Sequence, residues 1–236
     1  MVLLVENLNA GYGDLHVLFN VDVKAPDREI TALIGPNGSG KSTLLKAVFG
    51  LATIHSGRVT VEGRDVTRIP AHQKARMGMA YLPQVENVFT NLTVEENLRI
   101  AGYALDEVNY QEGLKLAYEV FPELKAFKRR RAGTLSGGER QFLAIATALV
   151  RKAKLLLLDE PTAQLAPKLA EAMFTRITML RDNYDATIVL VEQDVRRALK
   201  ISDEAYALSG GKVIYQGGAQ ELLKHEKFER ICMGLP

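Results

Sequence analysis

The sequence predicts an α/β protein built from packed layers. Short runs rich in β-branched and aliphatic residues recur along the 236-residue chain and alternate with helical patterns. A glycine-rich phosphate-loop motif joins one of these runs to one of these helices. With 47% hydrophobic and 25% charged residues, the chain can bury a substantial core.

Eight segments carry the strand pattern, and three segments carry the clearest helical pattern. The last strand segment contains the turn Ser209-Gly210-Gly211 between two apolar runs, which indicates a hairpin. The strand segments are 2–8, 17–25, 29–35, 57–63, 78–83, 155–160, 186–192 and 204–218, and the helical segments are 42–49, 139–150 and 167–181.

Residues 85–152 differ from the rest of the chain because their pattern is mostly helical and contains almost no strand signal. No repeat, low-complexity tract or flexible linker sets them apart as an independent unit. We therefore expect one domain over 1–236, with an α/β core formed by 1–84 and 153–236 and a helical subdomain inserted at 85–152.

Composition excludes several classes of protein. The formal net charge of +2, without long blocks of like charge, argues against nucleic-acid binding through a basic face. Cys232 is the only cysteine, which excludes internal disulfides and is typical of a reducing compartment. No apolar run approaches the ~18 residues that span a bilayer, and the first residues do not resemble a secretion signal. We expect an intracellular protein that reaches a membrane only through partners. The four histidines, which lack metal-ligand spacing, are His16, His55, His72 and His225.

The strongest local motif is "GPNGSGKST", which fits the phosphate-binding loop G-x-x-x-x-G-K-[ST]. It follows an apolar strand and opens a helix, so its backbone N–H groups can surround a polyphosphate at the positive end of that helix. In this motif the lysine reaches the β- and γ-phosphates and the first serine of "KST" holds Mg²⁺. The predicted nucleotide contacts are Gly35, Pro36, Asn37, Gly38, Ser39, Gly40, Lys41, Ser42 and Thr43.

A pair of carboxylates stands at the end of a second apolar strand, in "LLLLDEP". Ligands of α/β sheets bind at the carboxyl ends of strands, so Asp159 and Glu160 are candidates for chemistry. Beside a phosphate loop, Asp159 would position Mg²⁺ and Glu160 would polarise the attacking water. The sequence therefore predicts a nucleoside triphosphatase that uses Mg²⁺.

The stretch "LSGGERQ" has the spacing of a capping box, with Ser136 as the N-cap and Glu139 three residues later. A second capping box is predicted from Thr93 to Glu96. A helix start preceded by glycines also presents N–H donors to an anion. Because the chain already has one phosphate loop, this second anion site suggests that the ligand is the nucleotide of another copy.

Taken in order, "GPNGSGKST", the glutamine of "YLPQ", "LSGGERQ", "LLLLDEP" and "LVEQD" resemble the motifs of ATP-binding cassette (ABC) ATPases over nearly the whole chain. The resemblance implies a P-loop NTPase core with an N-terminal antiparallel β subdomain and an inserted helical subdomain. It also implies a head-to-tail dimer in which each ATP lies between the phosphate loop of one subunit and the "LSGGE" of the other.

The resemblance also implies roles for individual residues. Ser136 and Gly138, with Gly137 between them, would contact the γ-phosphate of the partner's ATP. Gln84 would touch Mg²⁺ and the attacking water, which makes Ser42, Gln84 and Asp159 the candidate metal ligands. Tyr12 would stack on the adenine; the alternative is an ordinary packed aromatic at a strand end.

Three positions, in two segments, depart from the family pattern. Gln164 and Ala166 stand where a glycine and an aspartate are usual, and Gln193 stands where a histidine normally contacts the γ-phosphate. An amide still donates a hydrogen bond but carries no titratable charge. We therefore expect retained ATP binding with slower, less pH-sensitive hydrolysis, in which Glu160, Gln84 and Gln193 are the catalytic candidates.

The segments "LAP", "VEQ", "VFTNLTVEENL" and "FPELKAFKRRRAGTLSGGERQ" resemble the ATPase subunits of branched-chain amino acid (Liv-type) importers, on the LivF-like side. This implies a peripheral position on the cytoplasmic face of the cell membrane, with a second ATPase subunit, multi-span membrane subunits and, indirectly, an external substrate-binding protein as partners. Related importers of urea or amides, a lipid or lipopolysaccharide exporter, a soluble ATPase of iron-sulfur assembly and a non-hydrolysing regulatory cassette remain alternatives. The basic run 128–131 is interpreted as a solvated face, with contact to lipid headgroups or to a partner as the alternative.

Overall fold

Two β-sheets and the helices that cover them organise residues 1–85, 87–163 and 165–235, which the computed structural model describes. The strands are β1 (Leu3–Tyr12), β2 (Leu15–Ala25), β3 (Ile30–Ile34), β4 (Thr53–Val61), β5 (Arg64–Asp65), β6 (Met79–Leu82), β7 (Leu155–Asp159), β8 (Thr187–Val191), β9 (Glu204–Ser209) and β10 (Lys212–Gly218). The helices are α1 (Lys41–Phe49), α2 (Ala71–Arg76), α3 (Val94–Ala101), α4 (Glu107–Val120), α5 (Glu123–Ala126), α6 (Gly137–Val150), α7 (Pro167–Tyr184), α8 (Val195–Ile201), α9 (Ala219–Leu223) and α10 (Phe228–Cys232).

The larger sheet has the order β10-β9-β3-β8-β7-β6, and all its neighbouring pairs are parallel except β9 with β10. Parallel pairing places the carboxyl ends of β3, β6, β7 and β8 at one edge of the sheet. The antiparallel exception is the predicted hairpin, in which Gly210 and Gly211 have φ of 52° and 76°. Both central residues of this two-residue turn therefore need left-handed backbone, which glycine adopts without strain.

The smaller sheet is antiparallel with the order β2-β1-β4-β5 and confirms the expected N-terminal antiparallel subdomain. All eight strand segments predicted from the sequence are present, and the three predicted helices appear as α1, α6 and α7 with ends shifted by a few residues. The fold is the α/β fold that the sequence predicts.

The leucine run of β7 lies between two hydrophobic layers, which explains why it contains no polar alternation. Leu156 and Leu158 join the cluster formed with α6 and α7, whereas Leu155 and Leu157 join the cluster formed with the antiparallel sheet and α1. All four side chains are fully buried. A strand covered on both faces carries apolar residues at every position, and this burial fixes the position of the carboxylates that follow.

Helices α3 to α6 follow β6 and precede β7 in the chain. They pack on one another through apolar side chains. Both predicted capping boxes are confirmed: Thr93 and Ser136 accept from the N–H groups of Glu96 and Glu139, whose carboxylates accept from the cap N–H groups in return. At the start of each of these helices, two otherwise unpaired N–H donors are satisfied. The capping box at Ser136 therefore fixes where α6 begins.

Sequence patterns did not predict α2, α8, α9 and α10 or the two-residue strand β5. Each of these helices has five to seven residues, too few turns to show a helical period. Within the residues that the structure describes, no helix combines the length and the apolar character needed to cross a membrane.

Candidate functional site

The carboxyl ends of β3, β8, β7 and β6 bring five of the predicted site features to one edge of the larger sheet. The phosphate loop follows β3, Gln193 follows β8, Asp159 ends β7 with Glu160 next in the chain, and Gln84 follows β6. These strands are consecutive neighbours, so residues far apart in the sequence meet where α/β sheets bind ligands.

The phosphate loop contains glycines whose φ is positive, a backbone conformation that other residues rarely adopt. Gly35 has φ of 138°, and a Cβ there would lie 2.1 Å from the carbonyl oxygen of Leu208. Gly40, the N-cap of α1, has φ of 105° and supplies no side-chain cap. The first N–H groups of α1 therefore have no side-chain acceptor at the N-cap and can bind an anion.

Lys41 lies in the mouth of the loop, where its Nζ donates to the carbonyl oxygens of Gly35 at 2.8 Å and of Pro36 at 2.9 Å. Burial lowers the pKa of Lys41, and the nearby Glu160 and Asp159 carboxylates oppose that shift. The lysine is thus a partly desolvated cation, which interacts more strongly with a phosphate than an exposed one does.

An open cleft of about 180 Å³ is lined by Val17, by the loop residues 37–43 and by Glu160. A larger cleft of about 660 Å³ lies between α7 and α8 and contains none of the predicted site residues. We assign the candidate site to the smaller cleft because it combines the anion-binding backbone with a carboxylate and Lys41.

Asp159 is held at both carboxylate oxygens. Ser42 Oγ donates to Oδ1 at 2.8 Å, and the hydroxyl of Tyr81 donates to Oδ2 at 3.0 Å. Burial, followed by the charge of Asp159, raises the pKa of Tyr81, which therefore remains a donor. Sequence analysis missed Tyr81, whose only local signal is an aromatic side chain in a strand next to Gln84.

The donor set fits Mg²⁺. This ion prefers oxygen ligands at about 2.0–2.1 Å in octahedral geometry, so neighbouring ligand oxygens lie about 3 Å apart. Ser42 Oγ and Asp159 Oδ1 are 2.8 Å apart, which suits two adjacent ligands of one small cation. Gln84, on the neighbouring segment, supplies a third oxygen in its side-chain amide.

Glu160 receives two amide donors on a single oxygen. Gln193 Nε2 lies 2.6 Å and Gln84 Nε2 lies 2.9 Å from Glu160 Oε2. The residue has φ of 51°, and its own N–H donates to the carbonyl of Val191. A non-glycine residue in left-handed backbone is uncommon. The structure therefore unites all three catalytic candidates.

Glu192 is a second residue that sequence analysis missed. It is buried, and its carboxylate accepts from the N–H of Thr162 at 2.8 Å and from the N–H of Gln193 at 3.1 Å. Burial raises its pKa, against the lowering effect of these hydrogen bonds. Glu192 thus ties the segment after Glu160 to the segment that carries Gln193.

Residues 136–138 of the "LSGGE" segment do not line the phosphate-loop cleft of their own chain. Ser136 is exposed at the start of α6, and a Cβ on Gly137 would meet only open space. Gly138 packs differently, because a Cβ there would lie 2.7 Å from Leu169 Cδ1. Ser136 and Gly137 therefore face outward, as binding to another molecule requires.

Tyr12 lies at the end of β1 beside α1, with 42% of its surface exposed. Its hydroxyl is 3.4 Å from Thr43 Oγ1, and Lys46 Nζ is 5.9 Å from its ring centre. A half-exposed ring is therefore present next to the phosphate loop. Of the two departures after Glu160, Gln164 lies outside the described residues, while Ala166 is the N-cap of α7 and supplies no side-chain cap.

Comparison with known proteins supports the ABC family that the sequence motifs resemble. A family model described as ABC transporter matches residues 18–163. A protein of Archaeoglobus fulgidus named probable branched-chain amino acid transport ATP-binding protein LivF is 59% identical over 234 residues, which cover 99% of each chain. The Pseudomonas aeruginosa protein named high-affinity branched-chain amino acid transport ATP-binding protein BraG is 40% identical, over 99% of this chain and 100% of its own length.

Other similarities are weaker. The Haemophilus influenzae lipopolysaccharide export system ATP-binding protein LptB is 33% identical, over 99% of this chain and 97% of its own length. A nucleotide-free ATP-binding cassette from an ABC transporter superposes with a TM-score of 0.86 at 27% identity over 99% of both chains. A dimeric cassette in a post-hydrolysis state bound to ADP and Pi superposes with a TM-score of 0.79 at 25% identity, over 92% of this chain and 98% of its own.

Proposed function

This chain belongs to the ABC transporter family, and we propose that it is the ATP-hydrolysing subunit of an importer of branched-chain amino acids or closely related amino acids and amides. As a member of this family it is an ATP-binding ATPase. The nature of the solute is supported by the names of the relatives at 59% and 40% identity, both of which are branched-chain amino acid transport ATP-binding proteins.

One observation carries the hydrolytic function: the carboxylate of Glu160 lines the same cleft as Lys41 and the phosphate loop. The backbone N–H groups of the loop and of α1 bind the phosphates, and Lys41 Nζ moves from the carbonyl oxygens of Gly35 and Pro36 to the β- and γ-phosphates. Glu160 accepts the proton of the attacking water. Gln193 donates to a γ-phosphate oxygen as negative charge builds up there.

The residues that would hold Mg²⁺ are Ser42, Asp159 and Gln84. When bound, Mg²⁺ supplies positive charge that neutralises the phosphates during in-line displacement. Tyr81 donates to the second oxygen of Asp159 and so orients the carboxylate toward Ser42. Tyr12 provides the flat surface on which the adenine stacks.

We propose that the working unit is a head-to-tail dimer. The exposed Ser136, the open position of Gly137 and the N–H groups at the start of α6 support this arrangement, because they form an anion site outside the cleft of their own chain. In the dimer they bind the γ-phosphate of the partner's ATP. The second ATPase subunit is another copy of this chain or a homologue of it.

The helical segment 85–152 is proposed as the subdomain that meets the membrane subunits. Its first part exposes Val85 at 61% and Phe89 at 59%, close in the chain to Gln84. Exposed apolar side chains of this size favour a protein contact. Docking there would hold the chain on the cytoplasmic face of the membrane, where multi-span subunits receive solute from an external binding protein.

The test is purification of the tagged chain in mild detergent from membranes of its own cells, followed by mass spectrometry and ATPase assays of the recovered complex. We expect two multi-span proteins and a second ATPase subunit, and hydrolysis stimulated by a binding protein loaded with leucine, isoleucine or valine. A parallel preparation of Glu160→Gln is the matched control for contaminating ATPases.

Lipopolysaccharide export is the second candidate, because the 33% identical relative from Haemophilus influenzae carries that function. Recovery of lipid-exporting membrane subunits, without stimulation by any amino-acid-binding protein, would favour export. Recovery from the soluble fraction alone would remove transport from the proposal and leave the ATPase.

A further inference from the structure

We propose that Gln141 is a positioning residue that couples the two ATP sites of the dimer. The inference rests on the proposed function, because it needs a dimer in which each ATP touches both subunits. Gln141 lies in α6, five residues after Ser136, and its side chain holds the segment that carries Gln84. No motif role was predicted for it, although it is the last residue of "LSGGERQ".

The amide of Gln141 uses both of its ends on this segment. Its Nε2 donates to the carbonyl oxygen of Gln84 at 3.0 Å, and its Oε1 accepts from Asn87 Nδ2 at 2.7 Å. Asn87 Nδ2 also donates to the carbonyl oxygen of Pro83 at 3.3 Å. Gln141 is 9% exposed, so water competes little for these bonds and an unmade bond would be costly.

The other end of the connection lies at the hydrolytic centre. Gln84 Nε2 donates to Glu160 Oε2 at 2.9 Å. The main chain of Gln84 is thus bound to α6 while its side chain is bound to the candidate base. The side chain of Gln84 can exchange its hydrogen bond with Glu160 for one with a phosphate oxygen. That exchange displaces the main-chain carbonyl of Gln84, which Gln141 holds.

Helix α6 is built to transmit such a displacement. It has 14 residues, most of them buried, and the capping box of Ser136 and Glu139 fixes its first turn. Five residues along an α-helix correspond to about 7.5 Å, or less than two turns, so Gln141 and Ser136 move together. The first turns of α6 therefore form a rigid connection between the Gln84 segment and the N–H groups that face the partner's ATP.

Coupling between the sites follows from this geometry. Within one subunit, Gln84 and Glu160 serve the ATP held by that subunit, whereas Ser136 serves the ATP of its partner. A nucleotide that favours one position of the Gln84 segment also favours one position of α6. ATP in one site therefore changes the affinity of the other site for ATP, and the effect is equal in both directions because coupling free energy is reciprocal. Gln141 is the hydrogen-bonded connection between the two.

The experiment compares Gln141→Leu with the wild type in the complex recovered from membranes, and measures the hydrolysis rate as a function of ATP concentration. Leucine keeps approximately the volume of glutamine and removes both hydrogen bonds. We expect the Hill coefficient to fall from near 2 to near 1, while a fluorescent ATP analogue binds the isolated chain with an affinity within two-fold of the wild type. A variant that only lost stability would lower the amount of active protein and leave the Hill coefficient unchanged.

The matched control is Gln111→Leu. Gln111 is an exposed helical glutamine in α4 whose Nε2 donates to Glu107 Oε1 at 2.7 Å, and this variant should keep wild-type cooperativity. Gln141→Asn provides a second variant: it keeps an amide, withdraws it by one methylene from Gln84, and should also lower the Hill coefficient. It keeps the test decisive if the leucine variant does not fold.

The possible results distinguish the role of Gln141 from the proposed ATPase dimer on which it rests. Wild-type cooperativity in folded Gln141→Leu and Gln141→Asn would overturn the role of Gln141 and leave the ATPase dimer standing. A wild-type complex that hydrolyses ATP without cooperativity, or that does not hydrolyse it, would overturn the coupled dimer and the inference with it.

Discussion

Replacing Gln193 by histidine is expected to raise the maximal rate of ATP hydrolysis about ten-fold. Gln193 Nε2 lies 2.6 Å from Glu160 Oε2, so a donor at this position sits beside the candidate base. Hydrogen bonds from charged donors contribute roughly 1.5–3 kcal/mol, against roughly 0.5–1.5 kcal/mol for neutral ones. A difference of about 1.4 kcal/mol that is realised as charge develops on the γ-phosphate corresponds to about ten-fold in rate.

The same substitution should introduce a dependence on pH. An imidazole has an ordinary pKa near 6.5, and the neighbouring Glu160 carboxylate favours its charged form. Because the charged donor is the faster one, the rate of Gln193→His should fall as pH rises through the pKa of the imidazole. The wild-type amide does not titrate, so between pH 6 and 9 the wild-type rate should vary less.

The assay is steady-state phosphate release at saturating ATP across this pH range, with ATP binding measured on the same preparations. Gln193→Ala is the control that removes the donor, and the loss of a neutral hydrogen bond should lower the rate by up to about ten-fold while retaining ATP binding. An unchanged or lower rate in a folded Gln193→His that binds ATP normally would refute the assignment of Gln193 as the γ-phosphate donor.

Three further predictions follow. Glu160→Gln should lower hydrolysis by ~10² to 10⁴-fold with ATP binding intact, as phosphate release and nucleotide titration would show; normal hydrolysis would exclude Glu160 as the base. Lys74 is fully buried, donates to the Val48 carbonyl, and burial lowers its pKa from 10.5 to about 8. Its burial as a cation therefore costs stability below pH 8, and denaturant unfolding should show wild type gaining about 3 kcal/mol over Lys74→Met as pH rises from 8 to 10.5. Ala166→Asp should stabilise the chain by about 0.5–2 kcal/mol in thermal unfolding, because α7 lacks a side-chain N-cap; no gain would place the helix start elsewhere.

Local patterns were sufficient for the parts of the fold that depend on short stretches of chain. The apolar run Leu155–Leu158 predicted a strand buried on both faces, and the two clusters that share its alternate residues confirm it. Capping boxes at Thr93 and Ser136 and the turn at Gly210 were predicted for the same reason: each depends on residues within a few positions of one another.

The site residues that the sequence did not reveal depend on distant partners. Tyr81 bonds to Asp159 across 78 positions, Gln141 to Gln84 across 57, and Glu192 to Thr162 across 30. Nothing in the local pattern distinguishes a buried glutamine that holds another segment from one that faces solvent. Such contacts exist only once strand order has brought β6, β7 and β8 side by side.

In the proposed mechanism, the chemistry of Glu160 and the coupling of the dimer depend on the same long-range hydrogen bonds. The two amides that donate to Glu160 belong to residues whose main chains are themselves held, Gln84 by Gln141 and Gln193 by Glu192. A phosphate oxygen is an alternative acceptor for both amides. When an amide changes acceptor, the segment behind it is displaced against a fixed hydrogen bond. In the proposed mechanism, hydrolysis at Glu160 and the position of α6 are therefore linked through the amide of Gln84, whose main chain Gln141 holds, whereas Gln193 is tied through Glu192 to Thr162.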